Sequence, residues 1–252
     1  MRAGHDARRF GAAIRLVARS PGRYLREVAR LPLEQQAAAR IASLPPVELA
    51  DLTGDVHEVT VQLARRDTRH TWSLGAAEQL SLQVLIRTRG CRTAFEIGTF
   101  NGGTTRLLAE ALPEDGHVWT LDLPTAAFDT TQGPAGFSGS QVGAAYRDSP
   151  AAHKITQLLG DSLQYDFGPY GQSADIVLVD GGHEYEHGVA DTLTALRLVR
   201  GGGIILWDDF EPYWHGLVNG ICDAMDDRRL GRLAGTALAV YRADPSDGAS
   251  GG

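Results

Sequence analysis

The sequence predicts an α/β domain built on a doubly wound, largely parallel sheet, and three observations predict it. Short apolar runs recur between residues 93 and 208, and several close on an acid: 118–121 before Asp122, 176–179 before Asp180, 204–207 before Asp208. Segments of helical spacing separate them, as in a βα repeat. The run 176–179 contains no polar residue, as expected of a central strand covered on both faces.

Taken in order, residues 1–45 read as one or two helices, broken near Ser20-Pro21-Gly22 and ended by Ser43-Leu44-Pro45-Pro46. Residues 47–66 add a short helix, with 51–55 as a turn, and 76–87 read as the helix before the first core strand. Thr71-Trp72-Ser73 lies just before the core, either lining a pocket or packing the N-terminal helices. The first strand, 93–97, runs into Gly98-Thr99-Phe100-Asn101-Gly102-Gly103 and a helix from Thr104 to Leu112. Such a unit sets glycine backbone, bare amides and a helix N-terminus beside a small ligand. The glycines are spaced G-x-x-x-G-G, which fits neither the dinucleotide G-x-G-x-x-G nor the P-loop.

Residues 118–123 read as the second strand, ending near Asp122, where an acid can bond ribose hydroxyls; a surface turn acid is the competing reading. Residues 154–162 form the third strand and end in Gly160-Asp161-Ser162. The fourth, 174–179, ends in Asp180-Gly181-Gly182-His183. A helix over 188–199 follows, Gly201-Gly202-Gly203 closes it, and 204–207 forms the next strand before Asp208-Asp209. Parallel strands open on one edge, so these groups should converge there.

The order Glu96-x-Gly98, Asp122, Gly160-Asp161-Ser162, Asp180-Gly181-Gly182-His183, Gly202-Gly203 and Trp207-Asp208-Asp209 resembles the class I S-adenosylmethionine (SAM)-dependent methyltransferases over residues 93–242. It is most similar to small-molecule O-methyltransferases found beside bacterial natural-product genes, including those that modify macrolide sugars. The resemblance implies a Rossmann-like, seven-stranded sheet, mostly parallel, with 235–241 as a last, antiparallel strand. It implies that Glu96, Gly98, Thr99, Phe100, Asn101 and Gly102 hold the amino acid half of SAM. Asp122 and Leu123 would then meet the ribose, Gly160, Asp161 or Ser162 the adenine, with Asp180 nearby. Several relatives bind Mg²⁺ through acids at the positions of Asp180, Asp208 and Asp209, and a hard cation suits such ligands. Without a cation, three converging carboxylates would repel and some would stay protonated. His183 is the candidate general base, with Asp180 beside it at the same strand end; a structural loop histidine is the alternative. His187 and His215 are weaker candidates of the same kind.

The chain divides into a helical extension over 1–75, which the resemblance implies covers substrate and makes oligomer contacts; a domain over 76–243, which it implies binds SAM; and an expected flexible tail over 244–252. Residues 124–152, rich in Gly, Ser, Thr and Ala, interrupt the domain as a lid, with Phe137, Tyr146 and Arg147 as contacts, or as a disordered excursion. The chain is 252 residues with a net charge of −7, which argues against nucleic acid as a partner. Residues 1–40 hold nine arginines against Asp6, Glu27 and Glu34. That face either touches an acidic or membrane surface or, in the plainer reading, packs on its own or a neighbouring subunit. Lys154 is the only lysine, and the arginine, Ala and Gly bias suggests a GC-rich bacterial source. Two cysteines without metal spacing, no signal-like core and no spanning apolar stretch point to a cytoplasmic enzyme off the membrane.

The expected function is therefore Mg²⁺-assisted O-methylation of a hydroxyl on a small molecule, a sugar or phenolic natural product, by a homo-oligomer (dimer or higher). The rivals are a metal-independent methyltransferase, a SAM-binding protein that transfers no methyl group and, more weakly, an NAD-dependent oxidoreductase.

Overall fold

The computed structural model describes residues 21–54, 58–63, 73–128, 138–226 and 228–245. The expected helix before Ser20, Trp72, Phe137 and the end of the tail lie outside these. Helix α1 (Pro21–Ser43) leads to a two-residue strand β1 (Pro46–Val47) and helix α2 (Leu49–Thr53). The core follows as α3 (Ala76–Thr88), β2 (Thr93–Ile97), α4 (Gly103–Ala111), β3 (His117–Asp122), α5 (Thr125–Phe128), α6 (Ala144–Arg147) and β4 (Ile155–Leu159). It is completed by β5 (Ala174–Val179), α7 (Tyr185–Leu198), β6 (Val199–Trp207), α8 (His215–Met225), β7 (Gly231–Leu233) and β8 (Ala239–Arg242). No helix among the described residues is long and apolar enough to cross a membrane.

The strands form one sheet in the order β1-β7-β8-β6-β5-β2-β3-β4. All neighbours are parallel except the two pairs made by β8, which runs antiparallel to β6 and β7. The sheet has eight strands where seven were expected, because Pro46–Val47 of the N-terminal extension pairs with β7 at its edge. The chain winds outward from β2 to β3 and β4, then returns to the other side of β2 to lay down β5. A crevice therefore opens at the carboxyl ends of β2 and β5, the switch point where such sheets bind ligands.

Alternation along β5 feeds two cores. Val177 and Val179 join Phe95, Ile97, Ile205 and Trp207 under α1, α7 and α8. Ile176 and Leu178 join Ala94, Val118, Ile204 and Leu206 under α3 and α4. Both faces are apolar because helices cover both. Helices α7 and α8 cross at backbone contact: a Cβ on Gly220 would lie 2.5 Å from the Tyr185 carbonyl oxygen. Lys154, almost wholly buried, ends α4 by donating from Nζ to the carbonyls of Ala109 and Leu112, each at 3.1 Å.

Two expectations are corrected. Gly201–Gly203 do not separate a helix from a strand; β6 already begins at Val199, which pairs with Ala174 before a register shift, and the glycines sit in the irregular part. The stretch 235–241 becomes a strand only at Ala239, since residues 234–238 form the turn from β7.

Candidate active site at the sheet switch point

The strand ends are laced together by one backbone bond beyond each strand. The amide of Gly98 donates to Leu121, Gly160 to Asp122, Asp180 to Ile97 and Asp208 to Val179, all between 2.8 and 3.0 Å. Gly98 lies at φ +100°, and a Cβ there would overlap the Asp180 carbonyl oxygen. Only glycine lets β2 and β5 meet this closely.

The glycine loop is held from within. Asp122 at the end of β3 accepts from the amides of Thr99 (3.0 Å) and Phe100 (2.6 Å) on Oδ2, and from Leu123 (2.7 Å) on Oδ1. The Gly102 amide donates to Thr99, and the Gly103 amide to Asn101 Oδ1. The expected row of bare amides is thus corrected: those of Gly98, Thr99, Phe100, Gly102 and Gly103 are all engaged inside the protein. Phe100 is left at φ +49°, strain the anchored loop imposes.

Glu96 lies beneath this loop rather than on its surface. It is completely buried; Oε2 accepts from the hydroxyls of Thr105 (2.5 Å) and Thr120 (2.6 Å), and Oε1 has no partner among the described residues. Burial pushes its carboxyl up to about 8, against the two hydroxyls and with help from Asp122. Through these hydroxyls it ties β2 to β3 and α4. Thr105, Thr120 and Gln157 were missed as loop supports. Gln157 donates from Nε2 to Thr99 Oγ1 (2.9 Å) and accepts from the Tyr146 hydroxyl (2.6 Å). The available signal was Thr120 and Gln157, polar residues in the middle of their strands.

Residues 138–152 are folded against this loop. Tyr146 packs on Gly102, where a Cβ would come within 2.5 Å of its ring. The Gly143 and Ala145 amides donate to the carbonyls of Phe100 and Asn101. Arg147 donates to the carbonyls of Ser140 and Val142. Tyr146 therefore braces the glycine loop, and Arg147 ties together its own segment at Ser140 and Val142.

Across the crevice, Asp180, Asp208 and Asp209 each offer a ligand oxygen, all within 4.8 Å of one another. Burial, then the charges of Asp208 and Asp209, hold the Asp180 carboxyl well above the usual range. Burial and Asp209 push Asp208 up to about 7. Asp209 itself sits at φ +54°. His183, expected at the same strand end as Asp180, joins this group through Asp209: Nε2 lies 2.7 Å from Asp209 Oδ2. The imidazole also stacks on Trp214, 3.9 Å between centroids and 22° between planes.

The remaining candidates lie around this centre. Asp161, after β4, accepts from the Leu163 amide and the Gln164 side chain, and Ser162 is half-buried beside it. His187 packs its ring against Gly182, and His215 opens α8. A shallow cavity of about 930 Å³ lies at the opposite end of the sheet, lined by Glu58, Arg87, Arg92 and Pro113, away from these groups.

Residues 95–210 match a family model described as a methyltransferase domain. Caffeoyl-CoA O-methyltransferase 2 of Zea mays is 28% identical over 160 residues, covering 62% of this chain and 57% of that protein. Tapetum-specific methyltransferase 1 of Arabidopsis thaliana is 28% identical over 167 residues, covering 66% and 65%. The chain thus spans less than two thirds of the length of these curated relatives. A Podospora anserina methyltransferase solved with S-adenosylhomocysteine (SAH) shares the fold, with a TM-score of 0.51 at 14% identity over 71% of this chain and 83% of that one.

Proposed function

We propose that this chain, whose core is a class I SAM-dependent methyltransferase domain, methylates a hydroxyl of a small acceptor with Mg²⁺ assistance and His183 as general base. The observation that carries this reading is the convergence of Asp180, Asp208 and Asp209 at the crevice, with His183 on Asp209. The donor set fits the ion: burial and then the neighbouring charges hold Asp180 and Asp208 above the usual carboxylate range, and a hard divalent cation relieves both. When bound, Mg²⁺ supplies positive charge that acidifies a nearby acceptor hydroxyl, and SAM supplies an activated methyl group.

The chain's own residues do the rest. Asp122 and Glu96 hold the Gly98–Gly102 loop rigid from two sides, which preorganises the cofactor's place. Asp209 holds the His183 imidazole beside the acids, where we assign it to take the acceptor's proton. By the names of the curated relatives, a phenolic hydroxyl heads the acceptor panel and a sugar hydroxyl comes second. We also propose a cytoplasmic homo-oligomer with no nucleic acid or membrane partner, which light scattering and fractionation test.

The test is SAH calorimetry with Mg²⁺ and then EDTA, followed by turnover on a catechol and sugar panel. Micromolar binding, about −8 kcal/mol, and turnover lost in EDTA and in Asp209→Ala are expected. Turnover that survives both treatments removes the metal from the mechanism and leaves His183 and positioning to carry the reaction. SAH binding without turnover on any acceptor favours a SAM-binding protein that transfers no methyl group.

A further inference from the structure

The imidazole of His183 is fixed from two sides, and one of them leads to the N-terminal helix. Its loop contains Gly181 and Gly182, so the neighbours rather than the loop set the ring plane. Trp214, on which the ring stacks, ends a single 3₁₀ turn, Pro212–Trp214, just before α8. Tyr213 of that turn meets the indole edge-on, at 4.8 Å and 82°. Arg30 of α1 grips Tyr213 from outside. Its guanidinium lies 4.3 Å from the ring centroid, and Nη2 donates to the Tyr213 carbonyl at 2.9 Å. Glu34, one turn along α1, pairs with Arg30 at 3.5 Å. Further along, Arg40 anchors α1 to α8 through Asp223 (2.7 Å) and the Asn219 carbonyl (3.2 Å). Contacts therefore run in series from α1 through Tyr213, Trp214 and His183 to Asp209.

We infer that Arg30 and Trp214 are positioning residues for His183: α1 clamps the Pro212–Trp214 turn, and the indole sets the plane in which the imidazole meets the acceptor. The inference rests on the reading of His183 as base. It assigns to the N-terminal helix a share in the chemistry that its sequence does not display. An arginine fork both bonds the turn's backbone and covers the aromatic face, so lysine replaces only part of it.

The experiment is NMR of the histidine rings in the full chain, with EDTA, in the presence and absence of SAH. The His183 signals are assigned by their loss in His183→Gln. The ring current of Trp214 is expected to shift the carbon-bound protons of His183 upfield in the wild type. Trp214→Leu moves them downfield; Arg30→Ala moves them part of the way, and Arg30→Lys recovers some of the loss. Amide dispersion and SAH affinity within about twofold of wild type mark a folded variant. Where Trp214→Leu does not fold, Trp214→Phe replaces it and should retain a smaller upfield shift. If Arg30→Ala leaves the His183 signals in place while the Trp214 variants move them, α1 has no part in setting the ring. If no variant moves them, the stack has none either. The ring signals can be read without SAH, so a wild type that binds no SAH would overturn the SAM reading and leave this one standing or falling separately.

Discussion

Glu96→Gln should isolate the ionisation of one buried group in the pH dependence of stability. The Glu96 carboxyl has no exposed surface, and burial raises it from 4.5 to about 8. A carboxyl with a raised folded pKa binds its proton more tightly in the folded chain than in the unfolded one. Its contribution is full below 4.5 and is lost as pH rises through about 8. Each pH unit in that window is worth about 1.4 kcal/mol, which sets a ceiling of roughly 5 kcal/mol. Relaxation around the ion lowers the expectation to the order of 2–4 kcal/mol. Glutamine has the shape of the protonated acid and stays neutral at every pH. The stability of Glu96→Gln relative to wild type should therefore be near zero or slightly negative at pH 5, rise up to about pH 8 and level off above it. Urea unfolding at one-unit steps, in EDTA, measures it. A difference that stays flat within about 0.5 kcal/mol would refute the claim that desolvation governs this carboxyl.

Three further outcomes are expected. Gly98→Ala places a Cβ against the Asp180 backbone at φ +100°; it should cost about 3 kcal/mol or more and weaken SAH binding at least tenfold by calorimetry. Mg²⁺ should raise the melting temperature more at pH 8 than at pH 6, because Asp208 titrates near about 7 and protons compete with the ion; Asp209→Asn should abolish the rise. Gly220→Ala meets only backbone of α7, at 2.5–3.0 Å, so the helices must separate; urea unfolding should show a loss of roughly 2 kcal/mol.

Much of the frame could be read from local pattern. The first core strand was placed at Thr93–Ile97 and is found there, and α3 and α4 begin and end within a residue of expectation. The acids after β5 and β6 converge because parallel topology carries strand ends to one edge. What was not legible depends on pairing between distant segments. Two residues at Pro46–Val47 hold too little periodicity to announce a strand, yet β7 gives them a partner. Val199 belongs to β6 because Ala174 pairs with it, although three glycines follow. His183 and Asp209 are 26 positions apart, and their contact needs the left-handed turn at Asp209. Tyr146 looked like a mobile contact because its surroundings are Gly- and Ala-rich. Gly102 and Gly143 are what let its ring come this close.

The buried end of α4 has a practical consequence for the bench. Lys154 carries the chain's one side-chain amine, and its Nζ is enclosed between two carbonyls. Acylating reagents therefore find no side-chain amine at the surface of the native fold. Labelling of Lys154 becomes a one-site clock for the opening of α4 and β4, readable by mass spectrometry. It needs no engineered probe, and it should slow when a ligand in the crevice at the other end of the sheet stabilises the fold.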